Sequence, residues 1–539
     1  MATLPELVML SDPFLQLPTS NTVNVVWFTE FVGIEHYVLY GKQLEHKVQA
    51  TTTKLSKVAE DSKSHWTQNY AQVTPRNIWR HEAVVTGLTS GKRLPYQVVS
   101  KDSTSEVTSK IFSLTAKPSE DSNVKILLTS DHQLMPMTAA NLEKVAKTVT
   151  DLDGIFLAGD LVNIPDRASE WFDDQRGGAF FPCLQGKANY KLKGHVYQGG
   201  ELIQHIPIFT AVGNHEVMGR FAPEINLNQQ FNASFPREPA IRIYPEMNST
   251  ELKNFTYNTD TYEEIFSLPE GQKYYSLSFG NLWLGVLSVT NMWRSPIRSA
   301  EVTGRYQEKI ADLDNPESWG YGQHIFGVIE AGSEQYRWLE TELNSAAFQQ
   351  AKYKIVMFHH PPHSLGGNVV PPYTTPLQQK QYNSEGQLEA ITYTYPQAND
   401  YIIRDLLPLL TSAGVDLVYY GHSHLWNRFY DSKSKLHFLE SSNVGNSYGA
   451  HWGNNPKRQP RDYLSESAAL GNPNGLDPIV PTIAPLTDES GTPLPYIASN
   501  EITVFSILDT STGNLSSYRF DTTNPDNPVI KFDEFNISK

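Results

Sequence analysis

The stretch that decides the fold is Gly213-Asn214-His215-Glu216, which follows an apolar run from Ile206 to Val212. The apolar run predicts a buried strand, and the glycine after it allows the backbone to turn tightly. The turn presents an amide oxygen, which can coordinate a metal, beside an imidazole, which can move a proton near neutral pH. An ordinary polar turn would have the same residue types, so these four residues alone do not distinguish a functional site from a turn.

Polar residues of the same kinds follow four other apolar runs that are predicted as strands. Those runs are Val124 to Leu128, Ile155 to Ala158, Tyr353 to Phe358 and Val415 to Tyr420. The segments that follow them are Ser130-Asp131-His132-Gln133, Gly159-Asp160-Leu161-Val162-Asn163, His359-His360-Pro361-Pro362-His363 and Gly421-His422-Ser423-His424. In open α/β sheets, ligands bind outside the carboxyl ends of the strands. Five such ends predict one shared site.

Residues 119–539 alternate between strand and helix patterns, which predicts a layered α/β domain. The helices are expected at Thr138 to Val149, Ser333 to Ser345 and Tyr401 to Ser412, and further strands at Leu282 to Val289, Leu436 to Leu439 and Ile502 to Leu508. Three long polar segments break the alternation, and we expect them to form loops around the rim of the site. They are residues 170–200, 226–270 and 443–500.

Residues 1–118 have a different composition, with short runs rich in Val, Thr, Tyr and Trp between turn signals. Runs such as Thr22 to Phe28, Arg80 to Val85 and Tyr96 to Ser100 predict a β-sandwich. Pro118 to Asn123 is polar and predicts a linker to the second domain. No cluster of catalytic residue types stands out in this part, so a structural or docking module is expected.

The bulk composition excludes several classes of protein. The chain has 58 acidic and 43 basic residues, a net charge of -15, and no basic stripe that would favour a nucleic-acid partner. Its one cysteine, Cys183, excludes an internal disulfide and a cysteine-based metal site. We see no signal peptide and no apolar run of about 20 residues. A cytoplasmic location is expected, and a periplasmic or secreted one stays open if a leader was removed.

The residues at the five strand ends suit two adjacent metal ions. Carboxylates and imidazoles bind Mn, Fe, Zn and Ni, and a shared aspartate can bridge two ions about 3.5–4 Å apart. With Asp131 and Asp160 as the charged ligands, two divalent ions and a bridging hydroxide leave the site at roughly +1. Such a site would attract a phosphate group although the protein is acidic.

These motifs resemble those of the calcineurin-like metallophosphoesterases over roughly residues 124–520. The segments that carry the resemblance are Asp131-His132-Gln133, Gly159 to Asn163, Gly213 to Glu216, Val356-Met357-Phe358-His359 with its following proline, and Gly421 to His424. With the N-terminal sandwich, the chain is similar to bacterial relatives of the purple acid phosphatases. The resemblance implies a fibronectin type III-like sandwich followed by an α/β (α+β) domain with αββα layers.

The resemblance also implies roles for individual residues. His359 is the expected ligand of the His359-His360 pair, because the family ligand lies two residues before the proline. His215 is expected to contact phosphate and to protonate the leaving oxygen. The expected metal ligands are the bridging Asp160, then Asp131 and His424 for the first ion, and Asn214, His359 and His422 for the second.

The implied activity is hydrolysis of phosphate esters by in-line attack of a metal-bridging hydroxide, with two ions of Fe, Mn or Zn. A phosphomonoesterase like the acid phosphatases is the expected form. A phosphodiesterase or a nucleotide or pyrophosphate hydrolase is the alternative among enzymes. A binding or scaffold protein with a degenerate metal site is the alternative outside them. The oligomeric state stays open.

Two positions depart from the family pattern. Asn163 stands where purple acid phosphatases have the tyrosinate that gives ferric iron its colour, so no visible charge-transfer band is expected. Gln133 stands where most other members have histidine, so a weaker ligand and a labile first metal are expected. Whether Gln133 or Asn163 coordinates stays open, and His132 is expected to be structural.

Further substrate-binding candidates rest on position alone. Besides Asn214, Arg220 and Arg294 could clamp phosphate oxygens bidentately, and His363 could face the pocket. The alternative for each arginine is an ordinary surface residue.

Overall fold

The computed structural model describes residues 7–294, 306–366, 376–396, 399–446, 449–452 and 475–538. Its N-terminal region is all-β, and two antiparallel sheets enclose a core that includes Trp27, Val38 and Tyr96. One sheet has the order Phe14–Gln16, Val23–Thr29, Trp79–Val85 and Thr51–Lys54. The other has the order Glu106–Thr108, Leu94–Lys101, Glu35–Tyr40 and His46–Gln49, and Phe112–Leu114 also pairs with Leu94–Lys101. The predicted sandwich is confirmed.

Two larger sheets form the centre of the second region. The six-stranded sheet has the order Ile208–Thr210, Gly154–Leu157, Lys125–Thr129, Ile502–Asp509, Asn514–Asp521 and Ile530–Asn536. Its first three strands are parallel and the others are antiparallel. The parallel strands therefore end at one edge, immediately before Asp131, Asp160 and Asn214.

The seven-stranded sheet supplies the remaining strand ends. Its order is Tyr275–Phe279, Leu282–Val286, Tyr353–Met357, Leu417–Tyr420, Leu436–Ser441, Trp426–Asp431 and Tyr496–Ile497. Tyr353–Met357 and Leu417–Tyr420 are parallel neighbours. Their carboxyl ends lead into His359 and His422, so these two side chains start from adjacent strands.

The two sheets pack face to face, with helices on the outside. Apolar side chains from both sheets share one core, for example Leu128 and Phe156 with Ile355 and Tyr419. The helix Thr138–Thr148 covers the six-stranded sheet, and Glu334–Leu343, Ala346–Gln350 and Leu407–Ala413 cover the seven-stranded one. The αββα layering expected from the sequence is confirmed.

The predicted loop at 226–270 is largely helical. It holds Leu227–Asn232, Arg237–Ile243, Ser249–Phe255 and Asp260–Ile265. Each helix is seven residues or shorter, which is too short to show an amphipathic period. Two of them begin with capping boxes, Asn226 with Gln229 and Asn248 with Glu251, and that signal was present in the sequence.

Part of the segment 443–500 lies outside the described residues. The segment 170–200 contains regular structure. It holds the end of the helix Ala168–Phe172, the helix Phe180–Leu184 and the hairpin of Tyr190–Leu192 with His195–Tyr197. Three further pairs complete the strands, Thr290–Trp293 with His324–Phe326, Leu377–Tyr382 with Leu388–Thr394, and Ala59–Glu60 with Thr74–Pro75. No helix among the described residues is long and apolar enough to span a bilayer.

The N-terminal sandwich shares a hydrophobic core with the second region. Phe14 and Phe28 are fully buried, and their rings lie 5.1 and 5.5 Å from the ring of Phe181. Phe28 also lies 5.0 Å from Phe172, on the segment that follows the Asp160 strand. The two regions are therefore joined by close aromatic packing as well as by the chain. The predicted boundary at residue 118 stays a prediction.

Candidate metal centre

The predicted ligands from the five strand ends converge at one place. His359 Nε2 lies 3.2 Å from both Asp160 Oδ2 and Asn214 Oδ1. His422 Nδ1 lies 3.0 Å from Asn214 Oδ1 and 3.2 Å from His359 Nε2. Two atoms that each lie about 2.1 Å from one ion are about 3.0–3.4 Å apart, so these spacings match ligands of a shared metal.

Asp131 and His424 lie next to this group. His424 Nε2 is 3.6 Å from Asp131 Oδ1. Asp131, Asp160 and His359 each offer a ligand atom within 4.8 Å of the others, and His359, His360 and His422 do the same. The buried carboxylates and imidazoles thus form one continuous set of donors across the two sheets.

The hydrogen bonds around the ligands hold them in orientations suited to a metal. His359 Nδ1 is 2.7 Å from the carbonyl oxygen of Ala158, so this nitrogen donates and leaves Nε2 with a lone pair. Asp131 accepts from the backbone N–H of His422 at 3.1 Å and from Ser442 Oγ at 2.7 Å. The neighbouring imidazole His360 contacts Thr290 Oγ1 through Nδ1 at 2.7 Å, and the choice of His359 as the ligand stays a prediction.

Several of these residues have a left-handed backbone conformation. Residues other than glycine adopt this conformation at a cost of about 1–3 kcal/mol. The residues of the site with this conformation are Asp131, Gln133, Asp160, His422 and His424, with φ between 39° and 81°. Such strain clusters at functional sites because the surrounding structure holds it there. In this protein it turns the ligands inward directly after their strands.

Two motif glycines allow the loops to approach each other. A Cβ on Gly213 would lie 2.3 Å from Asp160 Oδ1, and one on Gly421 would lie 2.0 Å from Ser130 Oγ. Neither distance is possible for a side chain. The glycines are therefore required by close packing between metal-binding loops that are far apart in sequence.

Two buried glutamates with no role assigned from the sequence fasten these loops. Glu216 accepts from the backbone N–H groups of Asp160, Leu161 and Gly213 at 2.7–2.8 Å. Glu440 accepts from the Ser423 N–H at 2.8 Å and from Ser364 Oγ at 2.9 Å. Burial raises the pKa of each carboxyl to about 8. Glu216 is part of the central motif, but its role could not be predicted because the sequence does not show that its side chain is buried.

Two features of the site bear on whether it can hold metal ions. Burial disfavours charge on Asp160 and His359, but their mutual attraction lowers the pKa of the carboxyl and raises that of the imidazole. A cation bound at His359 Nε2 would take over this attraction to the carboxylate, because metal ligation requires that nitrogen to be unprotonated. Gln133 Oε1 is buried without a hydrogen-bond partner among the described residues. Its Nε2 donates to Asp160 Oδ2 at 2.9 Å, so the free oxygen could coordinate a cation beside Asp160 once the amide turns over.

His215 lies beside the ligands without joining them. Its backbone N–H donates to Asp160 Oδ1 at 2.9 Å, and its Nδ1 is 2.7 Å from the carbonyl oxygen of Asn163. Nδ1 therefore carries the proton, which leaves Nε2 as the reactive nitrogen. Burial lowers the pKa of this imidazole. His215 lines a polar cavity of about 620 Å³ whose wall also includes Asn163.

The structure gives Arg294 a role different from the predicted phosphate clamp. Its guanidinium is buried and donates to the carbonyl oxygens of Asn214, Val217 and Phe231, and to its own neighbour Trp293. It also stacks on the ring of Phe231 at 3.4 Å. Its donors are used by the backbone, so Arg294 is suited to hold the Asn214 turn in place.

The other residues with weaker sequence support make contacts of their own. Arg220 lies over the ring of Phe235 and lines a separate cavity of about 320 Å³. The ring of His363 is buried 4.6 Å from Phe438, within aromatic packing. His132 is buried, and burial lowers its pKa to about 3. Its structural role stays a prediction.

Comparisons with known proteins give the family and the fold of the chain. A model of the family described as calcineurin-like phosphoesterase matches residues 124–425. No curated protein matches the chain. The solved purple acid phosphatase PPD1 of yellow lupin (Lupinus luteus) is similar with a TM-score of 0.52 and 15% identity, over 97% of this chain and 74% of that one. At that identity the likeness shows the fold.

A second solved structure is GAP50, the anchor in the inner membrane complex of Plasmodium. It matches with 11% identity over 76% of this chain and 89% of that one, at a TM-score of 0.32, which is too low to indicate a shared fold. The family match covers more than half of the chain and contains all five motifs. The chain therefore belongs to the calcineurin-like phosphoesterases and is a metal-dependent hydrolase of phosphate esters.

Proposed function

We propose that this hydrolase is a phosphomonoesterase of the acid phosphatase type with two metal ions at the candidate centre. The observation that carries the proposal is the convergence of Asp160 Oδ2, Asn214 Oδ1 and the His359 and His422 ring nitrogens within 3.0–3.2 Å contacts. Asp131 and His424 stand beside them at 3.6 Å from each other. Asp160 has ligand atoms of both Asp131 and His359 within 4.8 Å, and an aspartate shared in this way favours a pair of ions over a single one.

Each residue of the centre has a proposed task. Asp160 would be shared by both ions. Asp131, His424 and Gln133 would hold one ion, and Asn214, His359 and His422 the other. When bound, the metals would neutralise phosphate charge and lower the pKa of a water molecule for in-line attack. Their identity, among Fe, Mn and Zn, is not fixed by ligands of this kind.

His215 is the proposed acid for the leaving oxygen. Its Nδ1 is committed to Asn163, so Nε2 would take and give the proton. Its side chain lines the polar cavity, so the alcohol part of the ester would lie there when the phosphate is at the metals. The backbone carbonyl of Asn163 would fix the orientation of the ring during the transfer.

The proposal is tested with the full chain purified without chelators and supplied with Mn²⁺, Zn²⁺ or Fe²⁺. Metal analysis should find two ions per chain. Turnover of 4-nitrophenyl phosphate should exceed that of bis(4-nitrophenyl) phosphate by about tenfold or more, which corresponds to about 1.4 kcal/mol. A faster diester would contradict the monoesterase proposal, and fewer than two ions would contradict the binuclear one.

Variants of the proposed ligands test whether these residues bind the metal and support turnover. Asp160→Ala and His422→Ala should lose both bound metal and turnover. Lys42→Ala, at an exposed position of the N-terminal sandwich, serves as the control. If the ligand variants kept full activity on the aryl phosphate, the assignment of the site would fail.

A further inference from the structure

The N-terminal region contributes one wall of the cavity beside His215, from the segment between Ala59–Glu60 and Thr74–Pro75. Lys63 and His65 line this cavity together with Arg167 and Arg176 from the segment after the Asp160 strand and with the helix Leu227–Asn232. Three parts of the chain that are distant in sequence thus meet around the space where the alcohol part of a substrate would lie.

Asp61 fixes these three parts to one another. Its Oδ1 accepts from the Lys63 N–H at 2.9 Å and from Arg167 Nη2 at 3.0 Å, and its Oδ2 accepts from the Leu227 N–H at 2.7 Å. The carboxylate is 2% exposed. The backbone that carries Lys63 is therefore held in a fixed position relative to the cavity.

The cavity wall presents several hydrogen-bond donors. Its one acidic lining residue among the described residues, Glu170, already accepts from the backbone N–H groups of Asn163 and Ile164 and from Arg167. The side-chain oxygens of Asn226, Asn228 and Gln229 already accept from Gln229 N, Arg167 Nη2 and Asn226 N. Their amide nitrogens have no acceptor among the described residues, so they are available to a ligand. The buried Nε of Arg167 also lacks a partner in the described part of the chain.

Lys63 supplies the positive charge of this wall. Arg167 is paired with Asp61 and Glu170, and Arg176 is paired with Asp174. Lys63 is exposed and has no ion-pair partner within the ranges that the structure describes. An ammonium group that lines the same cavity as side-chain amide N–H donors favours a group with several acceptor oxygens and negative charge.

We propose that this cavity binds a second phosphoryl group on the substrate, with Lys63 as the residue that determines this specificity. The preferred substrates would be phosphate esters whose alcohol part carries another phosphate, and the N-terminal sandwich would take part in recognising them. This inference rests on the proposed function, because it assumes that the scissile phosphate lies at the metal centre.

The test uses the metal-loaded full chain and a matched pair of esters, glucose 6-phosphate and glucose 1,6-bisphosphate. The wild type should show a kcat/KM for the bisphosphate that is roughly tenfold higher. A preference of about two is expected from the number of phosphates alone. Lys63→Gln should reduce the preference to about two, Lys63→Arg should keep most of it, and Lys42→Gln should leave it unchanged.

The aryl ester 4-nitrophenyl phosphate separates the two proposals, because it carries no second anion. In Lys63→Gln its kcat/KM should fall by a smaller factor than that of the bisphosphate, and in Lys42→Gln it should stay unchanged. A wild-type preference of two or less, or a preference unchanged in Lys63→Gln, would overturn the inference while aryl turnover persists. Absence of turnover for all three esters would overturn the proposed function and the inference with it.

Discussion

Gln133 donates from Nε2 to Asp160 Oδ2 at 2.9 Å, while its own Oε1 is buried without a partner among the described residues. The amide therefore presents its nitrogen to a carboxylate that is proposed to bridge two metals. With a cation bound beside Asp160, the amide would have to turn so that its oxygen coordinates. Because the amide must lose its hydrogen bond to Asp160 before it coordinates, we expect Gln133 to be the weakest ligand of the first metal.

Replacing Gln133 by histidine should strengthen the first metal site. An imidazole nitrogen is a better ligand for Zn²⁺ or Mn²⁺ than an amide oxygen, so we expect affinity to rise by about tenfold, or about 1.4 kcal/mol. Competition with a chromogenic chelator measures the change. Gln43→His, at an exposed position, is the control, and equal affinities in the two variants would contradict the role of Gln133.

Loss of His215 should slow turnover without releasing metal. His215→Ala removes the proposed acid but none of the proposed ligands, so kcat should fall by about 10²–10⁴. The metal content should stay at the wild-type value. The exposed His46→Ala is the matched control. The assignment would be wrong if kcat were unchanged on an ester whose leaving group requires protonation.

The absence of tyrosine at position 163 should leave the ferric protein without the purple band. Asn163 instead donates from Nδ2 to the Gln133 carbonyl at 2.7 Å. The wild type loaded with Fe³⁺ should show no tyrosinate charge-transfer band in visible absorption, and Asn163→Tyr should gain one. A visible tyrosinate band in the wild type would show that another tyrosine reaches the metal.

Asp166 should make the protein less stable as the pH rises. Burial raises the pKa of this carboxyl to about 7, and Thr261 Oγ1 donates to it at 2.6 Å. An unfolded aspartate loses its proton near pH 3.9, so the folded protein binds the proton more tightly. The stability that this proton contributes is complete below about pH 4 and is lost as the pH rises toward 7.

The variant Asp166→Asn keeps an acceptor for Thr261 and removes the ionisation. Its advantage in unfolding free energy over the wild type should grow between pH 4 and 7 by at most about 4 kcal/mol, and then level off. Denaturant unfolding at several pH values measures this. The exposed Asp314→Asn should show no such trend, and a parallel pH dependence of Asp166→Asn and wild type would refute the prediction.

The sequence allowed the layered fold and the convergence of motifs to be predicted because both depend on local patterns. Apolar runs marked strands such as Tyr353–Met357, and turn residues marked the point where each run ends. Parallel pairing then brings those ends to one edge. Strands with many polar residues were missed, such as Asn514–Asp521, where serines occupy buried positions.

The direction of long side chains could not be predicted, because it depends on packing between segments far apart in the chain. Arg294 follows a strand as a phosphate ligand would, yet its guanidinium turns to the carbonyl oxygens of Asn214 and Phe231. Likewise, nothing in the local sequence of Lys63 shows that it lines a cavity with Arg167. Only the packing of the two regions places them together.

Because Phe14 and Phe28 contact the ring of Phe181, the N-terminal region cannot be removed or exchanged without exposing these side chains. Cutting the chain in the linker would uncover large rings on both fragments, and such surfaces promote aggregation. Expression of the second region without the N-terminal region should therefore yield insoluble protein. A related enzyme that lacks this module would need other side chains to cover the same face.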